Sequence, residues 1–266
     1  MIESTKIYHY NNLSVSYNRV GIQDKRPLII LHGWASSKQV MMPLAKELSD
    51  NRDCYVFDLP GFGNSSVPDK PWSVDDYADL IQQFVQDREF ETVDLLVHSF
   101  GGRIALKLCA RPEGETLINK VLITGGAGMK PRRGWSYYLK KYTAKFLKAP
   151  FYILPSNLRE KALSWLRKTP VWQALGSSDY SKLEGAMRET FVKTVSEYLE
   201  PCLPHIPHEV LLLWGRNDEA APLYQAERME SGIDQAELVV IDHAGHYAFL
   251  DRPSHFASIA KAFFKG

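Results

Sequence analysis

Apolar positions in this chain fall into short, nearly unbroken runs separated by stretches of helical spacing. Leu28-Ile29-Ile30-Leu31, Cys54-Tyr55-Val56-Phe57, Val121-Leu122-Ile123-Thr124 and Val210-Leu211-Leu212-Leu213-Trp214 are such runs, and Val93 to Val97 is one interrupted at Asp94. Runs of this length without alternation predict strands buried on both faces of a parallel sheet. Val40 to Leu48, Val74 to Asp87 and Gly101 to Ala110 carry apolar residues at helical spacing, and Ser73 with Asp75 and Asp76 supplies an N-terminal signal for the second of them. Looser alternation from Tyr8 to Arg19 predicts two early strands joined at Asn11-Asn12. A last strand is predicted at Leu238 to Ile241 and a closing helix from about Ser254 to Phe264.

Strand and helix alternate, which implies parallel βαβ units wound on both faces of one sheet. The rhythm breaks between about Gly128 and Pro204, where no buried strand is legible. Trp135 to Leu147, Leu158 to Arg167 and Tyr180 to Leu199 read as helices, punctuated by Pro150, Pro155, Pro170 and Gly176. The expectation is an α/β core of residues 1–127 and 205–266 carrying a helical cap, residues 128–204, inserted before the last strands. Ligands of open parallel sheets bind at the carboxyl ends of the strands, so the cap is expected above those ends.

Composition narrows the reading. A chain of 266 residues suits one large domain with an insertion, and a hydrophobic share of 45% with a charged share of 24% is ordinary for a globular protein. The net charge of +1 gives the whole chain no electrostatic case for nucleic acid. Met1 to Lys6 lacks the apolar core of an export signal, and no run approaches the ~20 apolar residues of a membrane helix. Cys54, Cys109 and Cys202 are odd in number and far apart, which argues against a disulfide framework or a zinc site and for a cytoplasmic location. Between Lys130 and Lys168 there are eleven Lys or Arg against the single acid Glu160. That asymmetry suits a solvated helical face, or weak contact of the cap with an anionic substrate or surface, without stable membrane insertion.

Candidate chemistry sits at three strand ends. Ser99 follows one apolar strand and precedes a helix, so a sharp turn would lift its hydroxyl from the sheet and place the next backbone N–H groups at a helix N-terminus. A serine hydroxyl needs a base beside it near neutral pH. His246, in Gly245-His246 after the last strand, can be that base, and Asp218, after Trp214-Gly215, can orient the imidazole and stabilise its protonated form. The rival acids are Glu219 and Asp242. The strand ending at Thr124-Gly125-Gly126-Ala127 offers none. Acyl transfer also needs donors for the developing oxyanion, and the backbone N–H groups of Phe100 and of Trp34, in His32-Gly33-Trp34, are the candidates. His32 is expected to tie loops together. Aromatics crowd the insert (Trp135, Tyr137, Tyr138, Tyr142, Phe146, Phe151, Tyr152, Trp165 and Trp172). They are expected to pack it onto the core, with some lining a pocket.

Leu31-His32-Gly33-Trp34, Asp58 to Ser65, His98-Ser99-Phe100-Gly101-Gly102, Trp214 to Asp218 with Pro222, and Gly245-His246 with Asp251-Arg252-Pro253 together resemble the α/β-hydrolase superfamily, in its capped, bacterial carboxylesterase-like branch. The resemblance spans nearly the whole chain outside the insert. It implies Ser99 as nucleophile, His246 as base, Asp218 as acid, no cofactor or metal, and a small-molecule ester substrate. Ring-fission hydrolases, which cleave a carbon–carbon bond in vinylogous diketone acids, are similar in fold and triad and form the alternative reading. A ligand-binding relative without catalysis is the other. One position departs from the family pattern Gly-x-Ser-x-Gly: Val97 stands where the first glycine belongs, a stiff β-branched residue at the base of the turn.

Overall fold

The computed structural model describes residues 2–23, 25–132 and 183–265, with scattered positions between 133 and 182. Eight strands form one sheet in the order β1-β2-β4-β3-β5-β6-β7-β8. β1 (Ile2–Tyr10) and β2 (Leu13–Gly21) make an antiparallel hairpin that turns at Asn11, whose φ is 51°. Asparagine tolerates that left-handed conformation better than most residues. β2 also runs antiparallel to β4 (Asp53–Phe57). The other pairings, among β3 (Pro27–Leu31), β4, β5 (Val93–His98), β6 (Ile118–Thr124), β7 (Glu209–Gly215) and β8 (Ala236–Ile241), are parallel.

The described α-helices are α1 (Lys38–Leu48), α2 (Val74–Asp87), α3 (Phe100–Cys109), α4 (Pro112–Leu117), α5 (Gly185–Ser196), α6 (Tyr224–Gly232), α7 (Ala248–Asp251) and α8 (Pro253–Phe263). The period of two along each strand sends alternate residues to opposite layers. Leu28 and Ile30 join Met41, Leu44 and Phe256 in the layer under α1 and α8. Ile29 and Leu31 join Tyr77, Ile81, Phe84, Ile104 and Met229 in the layer under α2, α3 and α6. This is why the β3 run shows no polar alternation. Ser73 caps α2 in a reciprocal box: Asp76 N–H donates to Ser73 Oγ, and Ser73 N–H donates to Asp76 Oδ2 at 2.6 Å.

A buried ion pair fixes the loop after β4. Lys38 Nζ lies 2.7 Å from Asp58 Oδ2 and donates to Ser16 Oγ at 2.6 Å, with both charged side chains 1% exposed. The Asp58 carboxylate also accepts the N–H groups of Lys38 and Asn64. Four described bonds thus surround two charges that burial would otherwise penalise heavily.

Most strand and helix bounds agree with the sequence reading to within a few residues. The helix expected over Tyr180 to Leu199 is shorter: α5 begins at Gly185 and ends at Ser196, and a 3₁₀ turn follows at Glu200–His205. Pro201 and Pro204 stop the α-helical pattern there. The helices expected at Trp135 to Leu147 and Leu158 to Arg167 fall mainly outside the described residues. α4, α6 and α7 were not anticipated. Cys54 and Cys109 are buried in the core layers. Among the described residues, no helix is long and apolar enough to cross a membrane.

The order of the central strands positions everything that follows. β4 and β5 flank β3 on opposite sides, so the winding reverses at β3 and opens a crevice above the ends of β3 and β5. The loop starting at His32 and the turn at Ser99 both stand at that crevice.

Candidate active site

Ser99 joins β5 to α3 with φ 52° and ψ −106°, a conformation that costs a non-glycine residue about 1–3 kcal/mol. Its neighbours hold it there. Ser99 N–H donates to Thr124 O at 3.1 Å, and Ser99 O accepts from Gly102 N–H and Ala127 N–H, each at 3.0 Å. Val97 does not prevent the turn. It is a fully buried strand residue paired with Leu31 and Ile123, and the bend begins beyond it.

Asp218 and His246 meet. The Asp218 carboxylate is buried, its Oδ2 lies 2.8 Å from His246 Nδ1, and its Oδ1 accepts Ala221 N–H at 2.8 Å. With Nδ1 turned to the carboxylate, Nε2 of His246 is left for other partners. The loops after β7 and β8 are locked by Arg216 N–H to Ile241 O at 3.0 Å and Asn217 N–H to Ala244 O at 2.9 Å. The rival acids are elsewhere: Asp242 is paired with Arg216 at the surface, and Glu219 is exposed.

Gly125, just beyond Thr124, is the floor under His246. Its φ is +55°, and a Cβ there would stand 2.9 Å from His246 Nδ1 and 3.0 Å from Cε1. The residue before it accepts the Ser99 N–H, so Ser99 and His246 both lie against the end of β6. Ser99 Oγ makes no hydrogen bond to a described residue. The imidazole reaches Ser99's neighbourhood through packing, with its ring centroid 4.6 Å from that of His98.

His98 was not singled out in the sequence. It is fully buried, and its Nδ1 lies 3.1 Å from the same Thr124 carbonyl that holds Ser99. Burial, reinforced by the neighbouring His246, pushes its pKa down to about 3, so the ring is neutral and its Nδ1–H is the donor. It therefore ties the turn to β6 and backs the His246 ring.

The loop after β3 closes the other side. A Cβ on Gly33 would stand 3.0 Å from Ser99 Cβ, which places Gly33, the residue before Trp34, directly beside the serine. Phe100 opens α3, where first-turn N–H groups have no intrahelical acceptor. His32 ties loops together as expected: its Nδ1 lies 2.7 Å from Gly33 O and its Nε2 accepts Leu59 N–H at 3.0 Å. Burial lowers its pKa to about 4. Trp34 packs edge-on against Phe62 and Phe100 and meets Phe191 of α5.

Of the insert aromatics, Trp135 and Tyr142 are exposed rather than packed inward, at 82% and 61%. Tyr137, Tyr138, Phe146, Trp165 and Trp172 lie outside the described residues, as does most of the basic stretch. Phe191 and Met187 were not named in advance, although their spacing of four puts both on one helix face. Among the described residues no group of His, Cys, Asp or Glu could hold a metal ion.

Comparison with known proteins agrees with this architecture. A family model described as alpha/beta hydrolase fold matches residues 26–253. The chain is 28% identical over 251 residues to the 2-hydroxymuconate semialdehyde hydrolase of Pseudomonas sp. (strain CF600), covering 89% of this chain and 86% of that protein. It is 25% identical over 246 residues to the pimeloyl-[acyl-carrier protein] methyl ester esterase of Nitrosomonas europaea, covering 87% and 92%. Among solved structures, a membrane phospholipase A described as a bacterial virulence factor superposes with a TM-score of 0.76 at 23% identity, over 99% of this chain and 86% of that one. At that identity the structural match bears on the fold alone.

Proposed function

The chain belongs to the α/β-hydrolase family, and from that premise we propose that it is a serine hydrolase that cleaves carboxylic esters of small to medium apolar substrates through an acyl-enzyme. The observation that carries the reading is the 2.8 Å contact between buried Asp218 and His246 Nδ1, set against the same strand end that anchors the strained Ser99 turn. In this reading Ser99 Oγ attacks the ester carbonyl while His246 Nε2 takes its proton. Asp218 holds the tautomer and stabilises the imidazolium. The N–H groups of Phe100 and Trp34 receive the oxyanion, each such donor being worth about 3 kcal/mol. Collapse of the tetrahedral intermediate breaks the C–O bond, and His246 returns the proton to the departing alkoxide. Water, deprotonated by the same imidazole, then attacks the acyl-enzyme, and Ser99 leaves with the proton. No cofactor enters. The residues between 128 and 204 act as the cap over this site, with residues 1–127 and 205–266 as the catalytic core.

A second reading has a specific support in the similarity to a semialdehyde hydrolase: the same residues would serve hydrolysis of a carbon–carbon bond in a vinylogous diketone acid. Side-by-side kinetics on p-nitrophenyl butyrate and a 2-hydroxy-6-oxo-dienoate separate the two by the larger kcat/KM. The test of the shared core is labelling by a fluorophosphonate probe. Ser99→Ala should abolish both labelling and turnover while leaving the circular dichroism unchanged. Folded wild-type protein that neither labels nor turns over either substrate would instead be a binding protein.

A further inference from the structure

The proposed chemistry assigns directions around Ser99. The departing alkoxide must lie within reach of His246, so the alcohol side of the substrate lies toward His246 and Tyr247. In the arrangement proposed below, the acyl group takes the side over the Trp34 ring. On that side the described residues form an aromatic wall. The Trp34 ring centroid lies 4.9 Å from Phe62, 5.2 Å from Phe100 and 5.1 Å from Phe191. Phe62 and Phe100 belong to the core, but Phe191 comes from α5.

α5 is fastened along its length. Met187 sits on the loop after β4, where a Cβ on Gly61 would be 2.4 Å from its sulfur. Thr190, fully buried, accepts Trp72 N–H on its Oγ1 at 2.9 Å. Lys193 Nζ donates to Pro71 O at 3.3 Å. One residue past the helix, Glu197 is gripped from α3, its backbone carbonyl accepting from Arg103 at 2.6 Å and its carboxylate accepting from Lys107 at 2.5 Å. Phe191 lies in the middle of these attachments, on the face shared with Met187, while Val192 and Val195 point outward at 46% and 39% exposure. A ring held this way is a fixed stop rather than a swinging cover.

We propose that the Trp34–Phe191 ring pair sets the acyl-chain limit of the site, with Phe191 the specificity-determining residue that confines the acyl group to short chains. The inference rests on the ester reading above. Replacing the ring by a methyl group opens apolar space in line with the acyl chain, and apolar space matched to one methylene changes discrimination by about tenfold or more.

The experiment is a series of p-nitrophenyl esters from acetyl to decanoyl, run on wild type, Phe191→Ala, Phe191→Leu and Val192→Ala, each checked by circular dichroism and thermal unfolding. Wild type should favour the short members. Phe191→Ala should raise the octanoyl-to-acetyl ratio of kcat/KM by about tenfold or more, with Phe191→Leu intermediate and Val192→Ala unchanged. If removal of the ring unfolds the protein, the smaller cut to leucine decides alone. Folded Phe191 variants that keep the wild-type ratio within twofold would overturn the proposal, as would an equal shift in Val192→Ala. Wild-type protein that turns over no ester of the series refutes the ester reading itself, an outcome separate from an active enzyme with an unmoved profile.

Discussion

Gly125→Ala tests the proposed site without touching any residue of the triad. The added Cβ would stand 2.9 Å from His246 Nδ1 and 3.0 Å from Cε1. Comfortable contact of these atoms needs about 3.5 Å, so the ring must recede by roughly 0.5 Å. The Nδ1 atom it presses on is the one held by Asp218 at 2.8 Å, already at the optimum for that bond. Displacement of about 1 Å at a reacting group costs about 100-fold in rate, so we expect about half that distance to lower kcat on p-nitrophenyl butyrate by roughly 10-fold or more. The substitution also forces a non-glycine residue to φ +55°, which costs about 1–2 kcal/mol of stability. Gly185→Ala separates the two effects, because Gly185 has φ +52° with no atom within 4 Å of the added Cβ. Both variants should lose stability in urea unfolding, Gly125→Ala at least as much as Gly185→Ala, and only Gly125→Ala should lose activity. Full activity in folded Gly125→Ala, or equal losses in both variants, would show that His246 does not work from this position.

Three further outcomes are expected. Val97→Gly removes a fully buried side chain and should lower the urea-derived stability by about 2–3 kcal/mol, while leaving kcat/KM for ester hydrolysis equal or higher. Sharply lower activity per folded molecule would mean that Val97 helps form the turn. Lys38→Met leaves Asp58 charged and buried without its cation, which should cost about 3–5 kcal/mol of stability with kcat unchanged below the unfolding temperature. His32 and His98 have folded pKa values of about 4 and about 3 against an ordinary 6.5. The unfolded chain therefore binds protons that the native state refuses, and stability is full above pH 6.5 and falls with acidification by up to about 1.4 kcal/mol per pH unit for each histidine until its folded pKa is reached. Urea midpoints at pH 7, 6 and 5 should decline accordingly, and a flat profile would contradict the burial of both rings.

The central strands were legible because they are buried on two faces and so leave nearly uninterrupted apolar runs, as β3 and β4 do. α6 was not, because Tyr224 to Gly232 is largely polar and buries only Gln225, Ala226 and Met229. α7 has four residues, too few for a period to register. Asp218 and His246 could be paired from their motifs because each follows a strand at a fixed offset. Gly125 was read only for the acid it lacks. Its positive φ and its contact with His246 depend on a loop 121 positions further along, which no local pattern encodes. Phe191 illustrates the same limit on a helix: spacing assigns it a face with Met187, but what that face meets is decided by how α5 is tethered to Pro71, Trp72 and α3.

Two backbone stretches about seventy residues apart meet beside the end of β6. Leu199 N–H donates to Gly128 O at 2.9 Å, and Lys130 N–H donates to the Glu200 carboxylate at 2.5 Å. These two bonds tie residues 128–130 to residues 199–200 at the base of the interval between them. Doubling the length of such an interval adds only about 0.6 kcal/mol of closure entropy. A segment of different length spliced between Gly128 and Leu199 would therefore add little closure cost to the fold.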